Sequence, residues 1–139
     1  MERMNSNFKD RMIETGLLAR LVLSTMFDCD ERDILFMYSR KQNKVSARRF
    51  YIYYLWKYKN ISHNRMKEYV NNIHHATSIY QCRLCEDEIK SYRKVRQNFI
   101  TFMYYADPKE YEKMRIDQVF TSFQMNDLKL KSKYRKILT

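Results

Sequence analysis

Apolar side chains recur along this chain at intervals of three and four residues, the spacing of amphipathic helices. Ile13, Leu17 and Leu21 fall at i, i+4 and i+8, and Leu18 and Val22 widen the stripe. The spacing predicts a first helix over about 7–27, with that stripe facing inward and Gly16 inside the helix at some cost in stability. Asp28-Cys29-Asp30 ends it and supplies a cap for a short second helix over 31–38, where Ile34, Leu35 and Met37 are apolar. Residues 39–43 form a basic polar link. A third helix is predicted over 44–58, with Val45, Ala47, Tyr51, Tyr54, Leu55 and Tyr58 inward and Arg48, Arg49 and Lys57 outward.

Lys59-Asn60-Ile61 breaks that helix, and Ser62 is a good N-cap for a fourth, short helix over 63–70. Asn71 and Asn72 make the next turn, since Asn tolerates left-handed backbone. A fifth helix is predicted from near His74 to Arg93 or beyond, with Ile79, Cys82, Glu86 and Ile89 marking one face. Asp107-Pro108 is a helix start, Asp as N-cap and Pro in the first turn, leading into Tyr111, Met114, Val119 and Phe120.

Composition narrows the class to all-α. One Gly and one Pro among 139 residues leave almost no turn residues for hairpins. The length suits one domain, 1–139, that ends in a basic tail. No run of 18 apolar residues is present, so no membrane span is expected. The N-terminus lacks the order of a signal peptide, and three cysteines, an odd number, read as reduced thiols, so a cytoplasmic protein is expected.

Charge changes the picture most. The 34 residues from Ile34 to Lys67 contain no acid and hold nine cations: Arg40, Lys41, Lys44, Arg48, Arg49, Lys57, Lys59, Arg65 and Lys67. The tail adds Lys129, Lys131, Lys133, Arg135 and Lys136, with no acid after Asp127. The whole chain carries +11, so everything outside these two stretches is net acidic. Positive charge segregated in this way calls for an anionic partner. After the block comes a polar corner, His74-His75-Ala76-Thr77-Ser78, at a helix start. Short polar side chains and imidazoles there suit contact with base edges, and the helix dipole suits phosphate.

Other candidate chemistry is weighed against plainer readings. Cys82 and Cys85 have the spacing of half a zinc site, but i and i+3 on a helix place both thiols on the face of Ile79, and buried thiols are expected. His74 and His75 diverge by about 100° on a helix, which disfavours a shared metal. DNA contact or helix capping fits them better. Glu86-Asp87-Glu88 is read as a solvated face with i,i+4 pairs such as Glu86–Lys90 rather than as catalytic carboxylates. Most of the 12 tyrosines are read as core residues with hydroxyls at the rim. The apolar residues among the tail cations make it a DNA arm, a docking helix or, last, a membrane-lying helix. No nucleophile–base arrangement and no Gly-rich phosphate loop is recognisable, so no enzyme and no cofactor are expected.

Three pieces, aligned without a gap from Ser39 to Ile79, resemble the C-terminal DNA-binding domain of the bacterial replication initiator DnaA. Ser39-Arg40-Lys41 stands at that family's basic loop. Ala47-Arg48-Arg49-Phe50-Tyr51-Ile52-Tyr53-Tyr54 stands at its small residue or Pro, then Arg, Gln and an apolar helix. Ser62 and His74-His75-Ala76-Thr77 stand at its helix-opening Ser and its Asp-His-Ser/Thr-Thr signature. His74 replaces the signature Asp, Ala76 replaces Ser or Thr, Lys67 replaces a turn-helix Gly, and Asn71 and Asn72 replace turn glycines.

The resemblance extends over about 22–96 and implies a helix-turn-helix core there, DnaA- or Trp-repressor-like, that binds double-stranded DNA, with 97–139 as a C-terminal helical extension ending in the basic tail. It implies Arg40 in the minor groove with Lys41 beside it, phosphate contacts from Lys44, Arg48 and Arg49, and His75 and Thr77 at the major groove. Lys57, His63, Asn64, His74 and Ser78 complete the candidate DNA-binding set. A stand-alone domain of this kind suits a phage or mobile element, in replication initiation or transcription control. The C-terminal extension would serve a homodimer or a replication protein. The rival expectations are a helical interaction factor that has lost sequence readout, and an RNA binder.

Overall fold

The computed structural model describes residues 16–36 and 39–116. Among them are α1 (Leu17–Phe27), α2 (Glu31–Leu35), α3 (Gln42–Tyr58), a 3₁₀ turn (Met66–Glu68), α4 (His75–Ser91), α5 (Arg93–Ala106) and α6 (Pro108–Ile116), and no strand. The expected helical residues before Gly16, Met37 and Tyr38, Val119 and Phe120, and the basic tail lie outside the described residues.

Helix α3 is the axis of the molecule. Six consecutive residues, Phe50 to Leu55, are buried, together with Ala47 and Arg48. Six residues exceed one and a half helical turns, so over that length no side faces water. The split of α3 into an inner and an outer face is therefore corrected: α1, α2 and α4 pack around it, and Val45 and Tyr58 are only half-buried. Rings from α5 close the remaining side. Phe50 meets Phe99 edge-on at 5.3 Å, and Tyr54 meets Phe102 edge-on at 5.5 Å, the geometry that ring quadrupoles favour.

Gly16 does not interrupt α1 but precedes it, with φ of +78°. The first helix therefore faces differently from the expected stripe. Ala19, Arg20 and Leu23 are buried, while Leu17, Leu18 and Leu21 stay about half exposed. The reason is Arg20. Its Nε donates to Glu31 Oε1 at 2.5 Å and its Nη1 to the Tyr51 hydroxyl at 2.7 Å, tying α1 to α2 and α3. Periodicity cannot foresee an arginine on the core face.

Local signals hold where they are capping signals. Asp30 caps α2 reciprocally with Asp33. Asn60 and Asn72 take left-handed backbone with φ of 58° and 54°. Asp107 Oδ1 accepts from the Glu110 N–H at 3.3 Å at the start of α6, and Asp107 Oδ2 accepts from the Tyr54 hydroxyl at 2.7 Å. The expected helix over 63–70 shrinks to the 3₁₀ turn, held inward by buried Met66, Tyr69 and Val70. The Asn71 N–H donates to the Leu35 carbonyl at 2.9 Å and fixes the following turn against α2.

The expected helix running past Arg93 breaks at Tyr92, which has extended backbone. Neither Gly nor Pro marks the break. Arg96 does: its buried guanidinium Nη1 donates to the carbonyls of Lys90 at 3.0 Å and Ile89 at 3.4 Å, orphan acceptors at the end of α4.

Two substitutions test these hinges. A Cβ at residue 16 would lie 2.7 Å from the Tyr51 hydroxyl and on left-handed backbone, so Gly16→Ala should cost about 1–3 kcal/mol in chemical denaturation. Arg96→Met keeps the apolar stem but strips the α4 carbonyls, and should cost about 1–3 kcal/mol by the same measurement.

Candidate nucleic-acid interface

Helix α4 turns Ser78, Cys82, Cys85 and Ile89 inward. The opposite stripe, Ala76, Tyr80, Arg83 and Asp87, faces out, as the 100° step per residue requires. At its start, His74 is the N-cap: its Nδ1 accepts from the Ala76 N–H at 3.2 Å. The exposed His75 ring lies 4.7 Å from the His74 ring, centre to centre. Thr77 is half-buried.

Ser78 is not at the tip. It is fully buried, and its Oγ shares a hydrogen bond of 2.8 Å with His63 Nδ1. His63 in turn stacks on Trp56, with ring centres 5.2 Å apart. Burial, with help from Arg83 and His75, lowers the His63 pKa from the ordinary imidazole value. This trio fastens the 3₁₀ segment to α3 and α4; Asn64 beside it is exposed.

Arg40 is exposed and borders a cleft of about 260 Å³ with Ser39, Val45, Arg48, Ile52 and Gln81. On the other flank of α4, a cleft of similar size joins Trp56 and His63 to Ile79 and Arg83. Gln81 and Ile79 differ by about 200° around a helix. Arg40 and His63 therefore flank α4 from opposite sides.

The cationic block does not stay cationic in space. Lys44 pairs with Asp33 at 3.2 Å, Arg49 with Glu88 at 2.7 Å, Lys59 with Asp107 at 3.5 Å and Arg65 with Glu68 at 3.1 Å. Arg48 is buried; its Nη2 donates to the Ser39 carbonyl and its Nε to the Lys44 carbonyl at 3.3 Å. Burial lowers its pKa. Neither Arg48 nor Arg49 is placed for phosphate: Arg48 holds the loop that carries Arg40, and Arg49, which also donates to Gln81 at 2.9 Å, holds α4. Lys57 lies over the Tyr53 ring at 5.7 Å. Besides Arg48, which carbonyls hold, Arg40, Lys41, Lys57 and Lys67 are the members of the block with no carboxylate partner among the described residues.

Tyr80 and Arg83 escaped sequence reasoning. The signal was present, since both lie across the helix from Cys82, Cys85 and Ile89. Arg83 too has no carboxylate partner among the described residues. Glu86 and Asp87 make the far half of α4 acidic, with Glu86 paired to Lys90 at 3.5 Å, while Glu88 turns inward to Arg49 instead of facing water. The half of α4 open to an anion is thus the first, to Arg83.

Cys82 and Cys85 are buried; burial, with Glu86, pushes the Cys82 thiol up to about 12, and burial raises Cys85 well above its ordinary value. Such thiols are poor metal ligands and nucleophiles, and no His/Cys/Asp/Glu group among the described residues could hold a metal. No described helix is long and apolar enough to cross a membrane.

These features define an all-α protein with a mixed polar and cationic helix face flanked by two clefts. Comparison with protein-family models, with curated proteins and with solved structures finds no match.

The half-buried His63 gives a pH signature. A lowered folded pKa means the unfolded chain takes up the proton first as pH falls, so this contribution is complete above about 6.5 and is lost below it. Urea titrations should show the native chain losing more stability between about pH 7.5 and about pH 5.5 than His63→Gln does.

Proposed function

We propose that this chain binds double-stranded DNA as a helix-turn-helix protein resembling the C-terminal domain of DnaA. The segment 62–73, with the 3₁₀ turn Met66–Glu68 in place of a full first helix, would lead into α4 as the reading helix. The observation that carries the reading is the face made by His75, Ala76, Tyr80 and Arg83, with Arg40 on the loop beside it. Its two arginines have no carboxylate partner among the described residues.

In this reading Arg40 enters the minor groove, where narrow A·T-rich tracts concentrate negative potential. His75, Tyr80 and Arg83 meet the major groove, and Lys41, Lys57 and Lys67 supply phosphate contacts. Arg48 and Arg49 act indirectly, by fixing the loop and the helix. The resemblance favours a phage or mobile-element setting, in replication initiation or transcription control. The pairing of Lys44, Arg49, Lys59 and Arg65 with acids favours a second reading, an interaction protein that keeps the fold without reading sequence.

Anisotropy titrations with duplexes separate the two. Three phosphate-contacting lysines imply a salt slope of about −3 in log K against log salt. Lys41→Ala should flatten that slope by about 1, Arg83→Ala should cost about 1–3 kcal/mol and relax sequence preference, and Arg40→Ala should cost about 1–3 kcal/mol, most on A·T-rich duplexes. Absence of salt-dependent duplex binding, or preference for RNA or single strands, overturns the proposal.

A further inference from the structure

The sequence of α1, LLARLVLSTMF, has one charged residue, Arg20, and that residue is inside, bonded to Glu31 and Tyr51. Its outward stripe is Leu17, Leu18, Leu21 and Thr25, exposed by 46%, 54% and 49% for the leucines. A helix on a protein surface ordinarily carries charge on its outer face; one that is apolar all round is covered. Beside the stripe, Leu21, Val22, Thr25 and Met26 of α1 face Thr101 and Tyr105 of α5 across a groove of about 360 Å³. Tyr105 and its ring neighbour Tyr104 are 60% and 54% exposed.

We propose that this face is where two copies of the chain associate, the leucine stripe of each lying along the α1–α5 groove of the other. Area, charge and symmetry argue for a second copy as the occupant. Half of three leucines and two tyrosines comes to roughly 500 Å² of apolar surface, near the top of what a monomer leaves open. With its rim it approaches the roughly 800 Å² per partner of a standard interface.

A chain of net charge +11 repels itself across any cationic face. The stripe and groove hold no charged side chain, so two copies approach there with least repulsion. The same neutrality speaks against the chain's own basic tail, whose five cations would find no acid in the groove. A leucine stripe beside a groove is also self-complementary under a twofold axis, the commonest symmetry of homo-oligomers. The proposal does not rest on DNA binding, because the outward stripe of α4 takes no part in it.

Sedimentation equilibrium or light scattering of the full chain, over about 1–100 µM, reads the result directly. A concentration-dependent dimer is expected, and Leu18→Lys with Leu21→Lys should raise its Kd at least about 30-fold while helical circular dichroism is retained. Thr25→Arg, which leaves every leucine in place, should weaken the dimer in the same direction and decides alone if the double variant fails to fold. A monomer throughout the range, a dimer indifferent to the substitutions, or higher oligomers without a dimer overturns the proposal.

Discussion

A helix with no side left for solvent over Phe50–Leu55 must satisfy its polar groups inside the protein, and α3 does this with partners from α1, from α4, from the loop before it and from the start of α6. Tyr51 takes the guanidinium of Arg20 from α1. Tyr54 donates to Asp107, which also caps α6. Arg48 reaches the carbonyl of Ser39 in the loop before α3, and Arg49 reaches Glu88 and Gln81 on α4. Aromatic packing supplies most of the burial, but it is non-directional. These hydrogen bonds are directional and fix where α1, α4 and the Asp107 corner meet the central helix. Their cost when broken is high, since a buried donor left alone loses its full hydration. Burial pushes the Tyr51 hydroxyl up to about 12 and, together with the Asp107 bond, raises Tyr54, so both stay protonated donors or acceptors through the physiological range.

The same arrangement decides what the basic block can do. A guanidinium held by carbonyls or by a carboxylate is an orienting device, not a free charge for a polyanion. Arg48 and Arg49 therefore contribute to a nucleic-acid surface only through what they position, which is the loop of Arg40 and the axis of α4. The free cations are fewer than the block suggests and lie on different elements. A surface of that kind makes a moderate electrostatic footprint and leaves more of the discrimination to shape and to the side chains at the helix tip.

Signals that act over a few residues were legible in the sequence, and those completed by distant partners were not. Scarcity of Gly and Pro was enough for the all-α class. Asp30 and Asp107-Pro108 announced their caps, because a cap is a local hydrogen bond, and Asn72 announced its left-handed turn. Cys82 and Cys85 announced their burial because spacing alone puts them on one face. The break at Tyr92 could not be read, since the group that stabilises it is the guanidinium of Arg96, folded back on α4. Neither could the neutralisation of Arg49, whose acid lies 39 residues away. Composition by segment counts charges where they sit along the chain, whereas Coulomb interactions act where they sit in space. The candidate site divides in the same way: Arg40 and the His74–His75 corner, picked by motif and position, are exposed, Ser78 is drawn inside by the His63 contact, and Tyr80 and Arg83 appear only once the inward face of α4 is known.

The orientation of α1 follows from one choice. Rotating the helix to bury Leu17, Leu18 and Leu21 would carry Arg20 out of its site, leaving Tyr51 and Glu31 without its guanidinium and α2 without its tie. Arg20 is buried but Glu31 is 34% exposed, so breaking the pair costs less than the roughly 3–5 kcal/mol of a fully buried one, while each half-exposed leucine forgoes only about half of the roughly 1.5–3 kcal/mol of full burial. Because these leucines are only about half exposed, and because Gly16 and Tyr51 already fit the present rotation, the arginine decides it. The leucine stripe thus remains outside as a consequence of how the core is locked. A surface left apolar for that reason keeps its driving force for association, and the charge on the rest of the molecule restricts where that force can act.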